Sequence, residues 1–511
     1  MTKTHSILFV SVTLTLIIAV NYTFTQKNLS AAIGEKGFNY PIVDTGQVSC
    51  YDNSREIHCP QPNQPFFGQD AQYKGKAPSY RDSGDGTITD LNTGLMWSQA
   101  VDNNKVSLTE ANKIAQKMTL GGYTDWRVPN LKELYSLIDF RGYTGFSRGG
   151  HGSGVPANAI PFINTDYFAF EYGDLNAGER YIDAQWLSRT KYVSTTMGGM
   201  ETLFGVNFAD GRIKGYGYKR PGAHRDRKKF YVRYVRGDAY GVNNFVDNGD
   251  GTVTDRATGL MWMQNDSGKA MNWQDAMEYA QNLRQAGYDD WRLPNAKELQ
   301  YIVDYSRSPE TNGSPALDPI FQTTSIINEA GQEDYPYFWS STTHLDGPNP
   351  GKNAVYIAFG RALGKMHGKI MDVHGAGAQR SDPKAGEPTS RGPQGDMIRI
   401  NNYVRCVRGG PLKIIFSRPS TDKSKYPYNV KKYQGVSRKE PSDSSGRSRP
   451  PSGGKSFVNR LDRNGDGKIS RSEFDGPIDR FDFHDINKDG YLTEDEAPKG
   501  PPPGGTRPPR Q

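Results

Sequence analysis

Between about residues 41 and 410 the chain sets short apolar runs between polar turns, and it does so twice. In the first copy Leu108, Ala111, Ile114, Ala115 and Met118 recur at helical spacing, and in the second Trp273, Ala276, Met277, Ala280 and Leu283 do the same. Each set predicts an amphipathic helix with one buried face. A second helix is predicted to open at Asn130 with Glu133 three residues on, and again at Asn295 with Glu298. That pair is a capping box in which Asn replaces Ser or Thr. Leu131, Leu134 and Ile138 supply the apolar stripe of one helix, Leu299, Ile302 and Val303 that of the other. Strands are predicted at Met96-Trp97 and Met261-Trp262, at 192–196 and 339–343, at 206–211 and 356–360, and at the closing runs 231–236 and 403–408. The Gly-rich stretches Gly142 to Pro156 and Gly364 to Gly395 have no periodicity and predict long loops.

The repetition is literal. Asp82-Ser83-Gly84-Asp85-Gly86-Thr87 returns as Asp247-Asn248-Gly249-Asp250-Gly251-Thr252, Thr93-Gly94-Leu95-Met96-Trp97 as Thr258-Gly259-Leu260-Met261-Trp262, and Asp125-Trp126-Arg127 as Asp290-Trp291-Arg292, all at an offset of 165 residues. A period this long implies tandem domains and not a solenoid of short units. The Gly-Asp-Gly clusters lack side-chain oxygens where a calcium loop needs them, so they predict tight hairpin turns.

Composition changes the picture at the two ends. Lys3 followed by the apolar run Ile7 to Val20 reads as an export signal over residues 1–31. As a helix that run covers about 21 Å, short of the roughly 30 Å of a bilayer core. Exported proteins meet oxidising conditions, and Cys50 and Cys59 are expected to close a short disulfide loop, leaving Cys406 as a buried small residue. The formal net charge is +7, and it is concentrated. From Pro411 to Arg460 there are twelve Lys/Arg against three Asp/Glu, among many Ser, Pro and Gly, which predicts a disordered basic linker. Such a linker is a solvated tether or an adhesive for acidic polymers. Nucleic acid is not expected as a partner of an exported chain.

The GLMW, DWRxPNxxEL and closing YVRxVR segments resemble the domain named after the C-terminal region of a bacterial collagen-like adhesin. Val43-Asp44-Thr45-Gly46-Gln47 followed by Cys50 and Cys59 is similar to what precedes the first copy in such proteins. The resemblance implies a C-type-lectin-like fold, related to the formylglycine-generating enzyme, and adhesion to glycans. The enzyme's copper-binding cysteine pair is not reproduced, since Cys406 stands alone and Tyr234 takes the equivalent place in the first repeat. Trp126-Arg127 and Trp291-Arg292 are the candidate ligand residues. They would form sugar-stacking platforms, or else pack in the core with each Arg on a buried carboxylate such as Asp139 or Asp304.

The most explicit chemistry lies near the C-terminus. Two segments fit D-x-[DN]-x-[DN]-G-x5-E without mismatch and resemble EF-hands. The expected Ca2+ ligands are Asp462, Asn464, Asp466, the carbonyl of Lys468, Ser470 and Glu473, and then Asp485, Asn487, Asp489, the carbonyl of Tyr491, Thr493 and Glu496. Ile469 and Leu492, at position 8 of each loop, are placed to pair as a small strand. Only residues 474–484 separate the loops, and Gly476-Pro477 interrupts them, which favours a structural calcium site over a groove-opening switch.

The sequence therefore predicts an α+β protein. Its parts are a signal peptide, two tandem C-type-lectin-like domains (41–238, with the Cys-containing segment, and 239–410), a disordered basic linker (411–454), a small α-helical EF-hand pair (455–498) and a disordered tail (499–511). The expected function is noncatalytic recognition of acidic or sulfated polysaccharide at the cell surface, in the periplasm or outside the cell. A structural role held by envelope-protein contacts is the alternative. No nucleophile motif points to an enzyme, although a glycosidase carboxylate pair stays open.

Overall fold

The computed structural model describes residues 40–409 apart from 101–103, 147–153, 224, 225, 227 and 393, the pair 413–414, and parts of 458–496. The expected signal peptide, nearly all of the basic linker and the tail lie outside the described residues. Two units are separated near Gly435. The fold is α+β and rich in β-structure.

The larger unit is organised by one antiparallel six-stranded sheet. The first repeat gives β1 (Gln185–Thr196), β2 (Met200–Asn207) and β3 (Arg212–Lys219), and the second gives β4 (Tyr337–His344), β5 (Asn353–Ala358) and β6 (Gln379–Pro383), in the order β4-β5-β6-β3-β2-β1. Read from either edge, the order is the same with the repeats exchanged. At the seam Gln379 pairs with Ile213, and Gly215 N donates to His374 O at 2.8 Å. A Cβ on Gly215 would lie 2.3 Å from that carbonyl, so only glycine lets the copies close to this distance.

Four helices follow the predicted pattern: α1 (Leu108–Lys117), α2 (Leu131–Ser136), α3 (Trp273–Asn282) and α4 (Ala296–Tyr301). The side chains of Asn130 and Asn295 accept from the backbone N–H of Glu133 and Glu298, and both capping boxes are complete. Helix α3 buries Trp273, Ala276, Met277 and Ala280; α1 buries Ala111 and Ala115 but leaves Ile114 exposed. Lys132 on α2 donates to Tyr301 O at 2.6 Å, and Lys297 on α4, at the equivalent position, donates to Ser136 O at 3.0 Å. Each lysine thus holds a carbonyl at the C-terminal end of the other repeat's helix, where the helix dipole favours a cation. Burial lowers both lysines to about 8.

Each repeat adds a four-stranded sheet. Tyr80–Asp82, Thr87–Asp90, Met96–Ser98 and Val235–Arg236 form one, and Phe245–Asp247, Thr252–Asp255, Leu260–Met263 and Val407–Gly409 the other. The Gly-Asp-Gly clusters are hairpin turns whose own Asp85 and Asp250 accept from the N–H and hydroxyl of Thr87 and Thr252. One continuous core crosses the repeats, with Trp97, Trp186, Trp262 and Trp339 fully buried.

Two expectations change. Gly364 to Gly395 is interrupted by short strands, with Leu363–Met366, Lys369–Asp372, Thr389–Arg391 and Asp396–Ile398 in one small sheet and β6 in the large one. Turns at His367-Gly368 and Gly392 break it into pieces too short to show a period. The closing runs are strands only at Val235–Arg236 and Val407–Gly409. Their earlier arginines turn inward instead: Arg233 donates to the carbonyls of Ser98, Gln99 and Ala169, and Arg405 to those of Met263, Gln264 and Gln322. The N-terminal segment, joined by the Cys50–Cys59 disulfide, covers the edge of β4. Gln47 does this with its amide, donating to Thr343 O at 2.7 Å and accepting from Thr343 N at 2.9 Å. A side chain so placed satisfies the edge as a strand would. Cys406 is fully buried, and burial raises its thiol far above the ordinary range.

Candidate functional site

The smaller unit presents the two acidic loops. Ile469 pairs with Leu492 and Ser470 with Tyr491, so the loops are zipped at position 8. Val458, Leu461, Ile469, Phe481 and Leu492 form a small core of their own. Within the first loop Asp462 accepts from Asp466 N and Gly467 N, Asn464 Oδ1 from Asp466 N, and Asp466 Oδ1 from Lys468 N. Glu473 reaches back to accept from Asn464 N at 3.2 Å and from Ser470 N at 2.9 Å. The second loop repeats every one of these bonds with Asp485, Asn487, Asp489 and Glu496. Gly467 and Gly490 sit at φ +82° and +85°, where a side chain is strained. The side-chain oxygens of positions 1, 3, 5 and 12 are therefore held by each loop's own amides, and the position-9 hydroxyl donates to the position-12 carboxylate. That donor set, all oxygen and three of its five side chains carboxylate, suits a hard divalent cation. Among the described residues no group of three or more His, Cys, Asp or Glu stands ready-made for a metal.

In the larger unit, the residues expected to bind sugar are placed differently. Trp126 and Trp291 are only 4% and 3% exposed, and their indole N–H groups donate to backbone carbonyls. A pyranose needs an open ring face, so neither is a stacking platform. Arg127 makes a two-pronged pair with Glu133, and Arg292 with Glu298, at 2.6–2.7 Å. The carboxylates are those of the capping boxes, not Asp139 or Asp304. Asp139 is held by Arg141, and Asp304 by Ser306. Each Arg–Glu pair thus ties the loop to the next helix, half-buried in the first repeat and buried in the second.

Two features escaped the sequence reading. A pocket of about 550 Å³ on the first repeat is lined by Lys105, Glu179, Met200, Gly217, Lys228 and Lys229. Lys105 Nζ bonds Glu179 at 2.5 Å and the Asp183 carbonyl at 2.6 Å. Lys228 lies 5.4 Å from the Tyr216 ring and 5.7 Å from Phe230, and burial lowers its pKa. Lys229 also pairs with Glu110 at 4.0 Å, so three lysines meet two carboxylates and the pocket keeps a net positive charge. The signal was available in Lys228-Lys229, but nothing in the sequence placed Lys105 beside them.

The second is a buried ionic cluster at the seam. Arg212 pairs with Asp346 at 2.6 Å and with Asp210 at 3.5 Å, while Lys214 bonds Asp210 at 2.9 Å. His344 and His374 lie beside it, and burial lowers them to about 3 and about 4, so both are neutral at pH 7. Arg212, Lys214 and Tyr216 alternate along β3, a period-two pattern that puts them on one face of the sheet.

The family model of the Lcl C-terminal domain matches residues 86–236 and again residues 251–374. The chain belongs to this family. No curated protein and no solved structure shows significant similarity to it. The two Lcl C-terminal domain matches begin at Gly86 and Gly251, equivalent turn glycines of the two repeats. All the residues lining the lysine pocket fall within the first Lcl match, and the seam cluster draws on both. The acidic loops lie outside either match. Membership in the Lcl family points to an adhesin-like role.

Proposed function

We propose that this protein is an exported, noncatalytic adhesin whose two C-type-lectin-like repeats recognise an acidic or sulfated polysaccharide. The observation that carries the reading is the pocket where Lys105, Lys228 and Lys229 converge inside a family-matched repeat. Ammonium groups are point charges with three donors each, suited to sulfate or carboxylate groups on a flexible polymer. Antiparallel sheets with few helices are compatible with a lectin-like body. The basic stretch 411–460 would add a salt-sensitive attraction.

The C-terminal loops we assign as an EF-hand pair that binds Ca2+ for structure, with an affinity of roughly 0.1–1 mM as in extracellular modules. The support is that both loops hold equivalent carboxylates on equivalent backbone amides. No helix among the described residues is long and apolar enough to cross a membrane.

Binding to heparin and to neutral dextran, measured in moderate salt, tests the proposal. Lys228→Glu with Lys229→Glu should weaken heparin binding by about tenfold or more, since two reversed charges remove both attraction and fit. Equal binding by this variant and the parent would overturn the pocket assignment.

A further inference from the structure

The hairpin turn ahead of each DWR block carries a constellation that the recognition site above does not use. In the first repeat the chain reverses through Gly121-Gly122, with φ +58° and +79°, and Leu120 pairs with Tyr123. In the second it reverses through Ala286-Gly287, with φ +54° and +78°, and Gln285 pairs with Tyr288. Both turns need left-handed backbone at two successive residues, and the second tolerates alanine there at a cost. Their product is one tyrosine held out at the surface of each repeat. Tyr123 is 41% exposed and Tyr288 37%.

Each ring is braced from one side. The Arg236 guanidinium carbon lies 3.7 Å from the Tyr123 ring centroid, and that of Arg408 lies 3.6 Å from Tyr288. Arg236 bonds Asp125 at 2.7 Å, and Arg408 bonds Asp290 at 2.6 Å. Met96 and Met261 sulfurs close the arginines from behind, at 3.9 and 3.7 Å. With one ring face covered by guanidinium, the exposure of each tyrosine falls on its other face and edge. Both carboxylates are more than half exposed and lie beside the ring.

We infer that Tyr123, Arg236 and Asp125, and equally Tyr288, Arg408 and Asp290, form two equivalent saccharide platforms, one per repeat. A hexopyranose offers an apolar C–H face to a ring and hydroxyl donors and acceptors around its rim. Here the open tyrosine face takes the first and the half-exposed carboxylate takes the second, while the guanidinium fixes both from the covered side. The ring loses little freedom on binding, because it is already fixed. Reproduction of the same braced tyrosine in two copies that differ in so many other surface residues is the independent support. The inference rests on the glycan reading and adds a neutral, stacking component to the charged pocket.

The test uses the whole protein and a heparin chain long enough to meet both repeats. Tyr123→Ala and Tyr288→Ala should each weaken binding, and the double variant should lose about 100-fold as two linked contacts become none. Tyr→Trp at either position should restore it, and binding of a heparin disaccharide should fall only as far as one platform is lost. A purely structural brace predicts lower thermal stability with unchanged heparin affinity, and that result overturns the platforms while leaving the lysine pocket intact. No heparin binding by the parent protein overturns both.

Discussion

Asp70 is the carboxyl that ties the N-terminal segment to β4, accepting from the Thr342 hydroxyl at 2.5 Å. Burial, and then the charge of Asp44, raise it to about 7. The folded state therefore keeps a proton that the unfolded chain releases near pH 4, and the stability this gives is present below about pH 4 and lost as pH rises to about 7. Urea unfolding across that range should show falling stability, and Asp70→Asn should flatten the slope; an unchanged slope would remove Asp70 as its source. Ala286 gives a second expectation. It sits at φ +54° with open space around its glycine neighbour, so Ala286→Gly should stabilise the fold by up to about 1 kcal/mol, read as a higher unfolding midpoint. Single residues also mark where sequence reasoning stopped. For Trp126 and Trp291, each set between an Asp and an Arg, burial follows from the sequence only as one of two readings. The partners of Arg127 and Arg292 do not, because Glu133 and Glu298 already had a role as helix caps and nothing showed that one carboxylate could serve both.

At the level of elements, helices were the legible part. Their caps are local chemistry, with donor and acceptor three residues apart, and their stripes repeat in both copies. The strand pieces after Gly364 were not legible, because two to five residues are too few to establish alternation. Pairing between distant strands carries no local mark either, which hid the β3–β6 seam. The lysines of α2 and α4 show what the seam depends on. Lys297→Met leaves the buried carbonyl of Ser136 and the half-buried one of Asp44 without this donor, and a buried loss costs about 1–3 kcal/mol. The methionine also relieves the cost of a buried charge, so a net loss of about 2 kcal/mol is expected. Thermal unfolding of Lys132→Met, Lys297→Met and the double variant would show it, and midpoints equal to the parent's would mean that the lysines do not hold the copies together.

For the whole molecule, duplication visible in the sequence becomes one body with a shared sheet, so the repeats support each other's folding as well as repeating a surface. The two C-terminal loops stand in a separate unit, and calcium is expected to act there alone. Isothermal titration of the full chain with Ca2+ should give two weak sites, and Glu473→Gln with Glu496→Gln should abolish most of the heat without moving the unfolding of the larger unit. Undiminished calcium binding by that variant would defeat the loop assignment. Recognition of acidic glycan by the tandem repeats is the central claim, and it is tested most directly by heparin affinity of the parent and of a chain ending at residue 410, in calcium and in EDTA. The account predicts selective binding over neutral dextran that persists after the truncation and in EDTA. Binding that disappears with residues 411–511 would contradict it, leaving the basic stretch as the adhesive and the duplicated body as its scaffold.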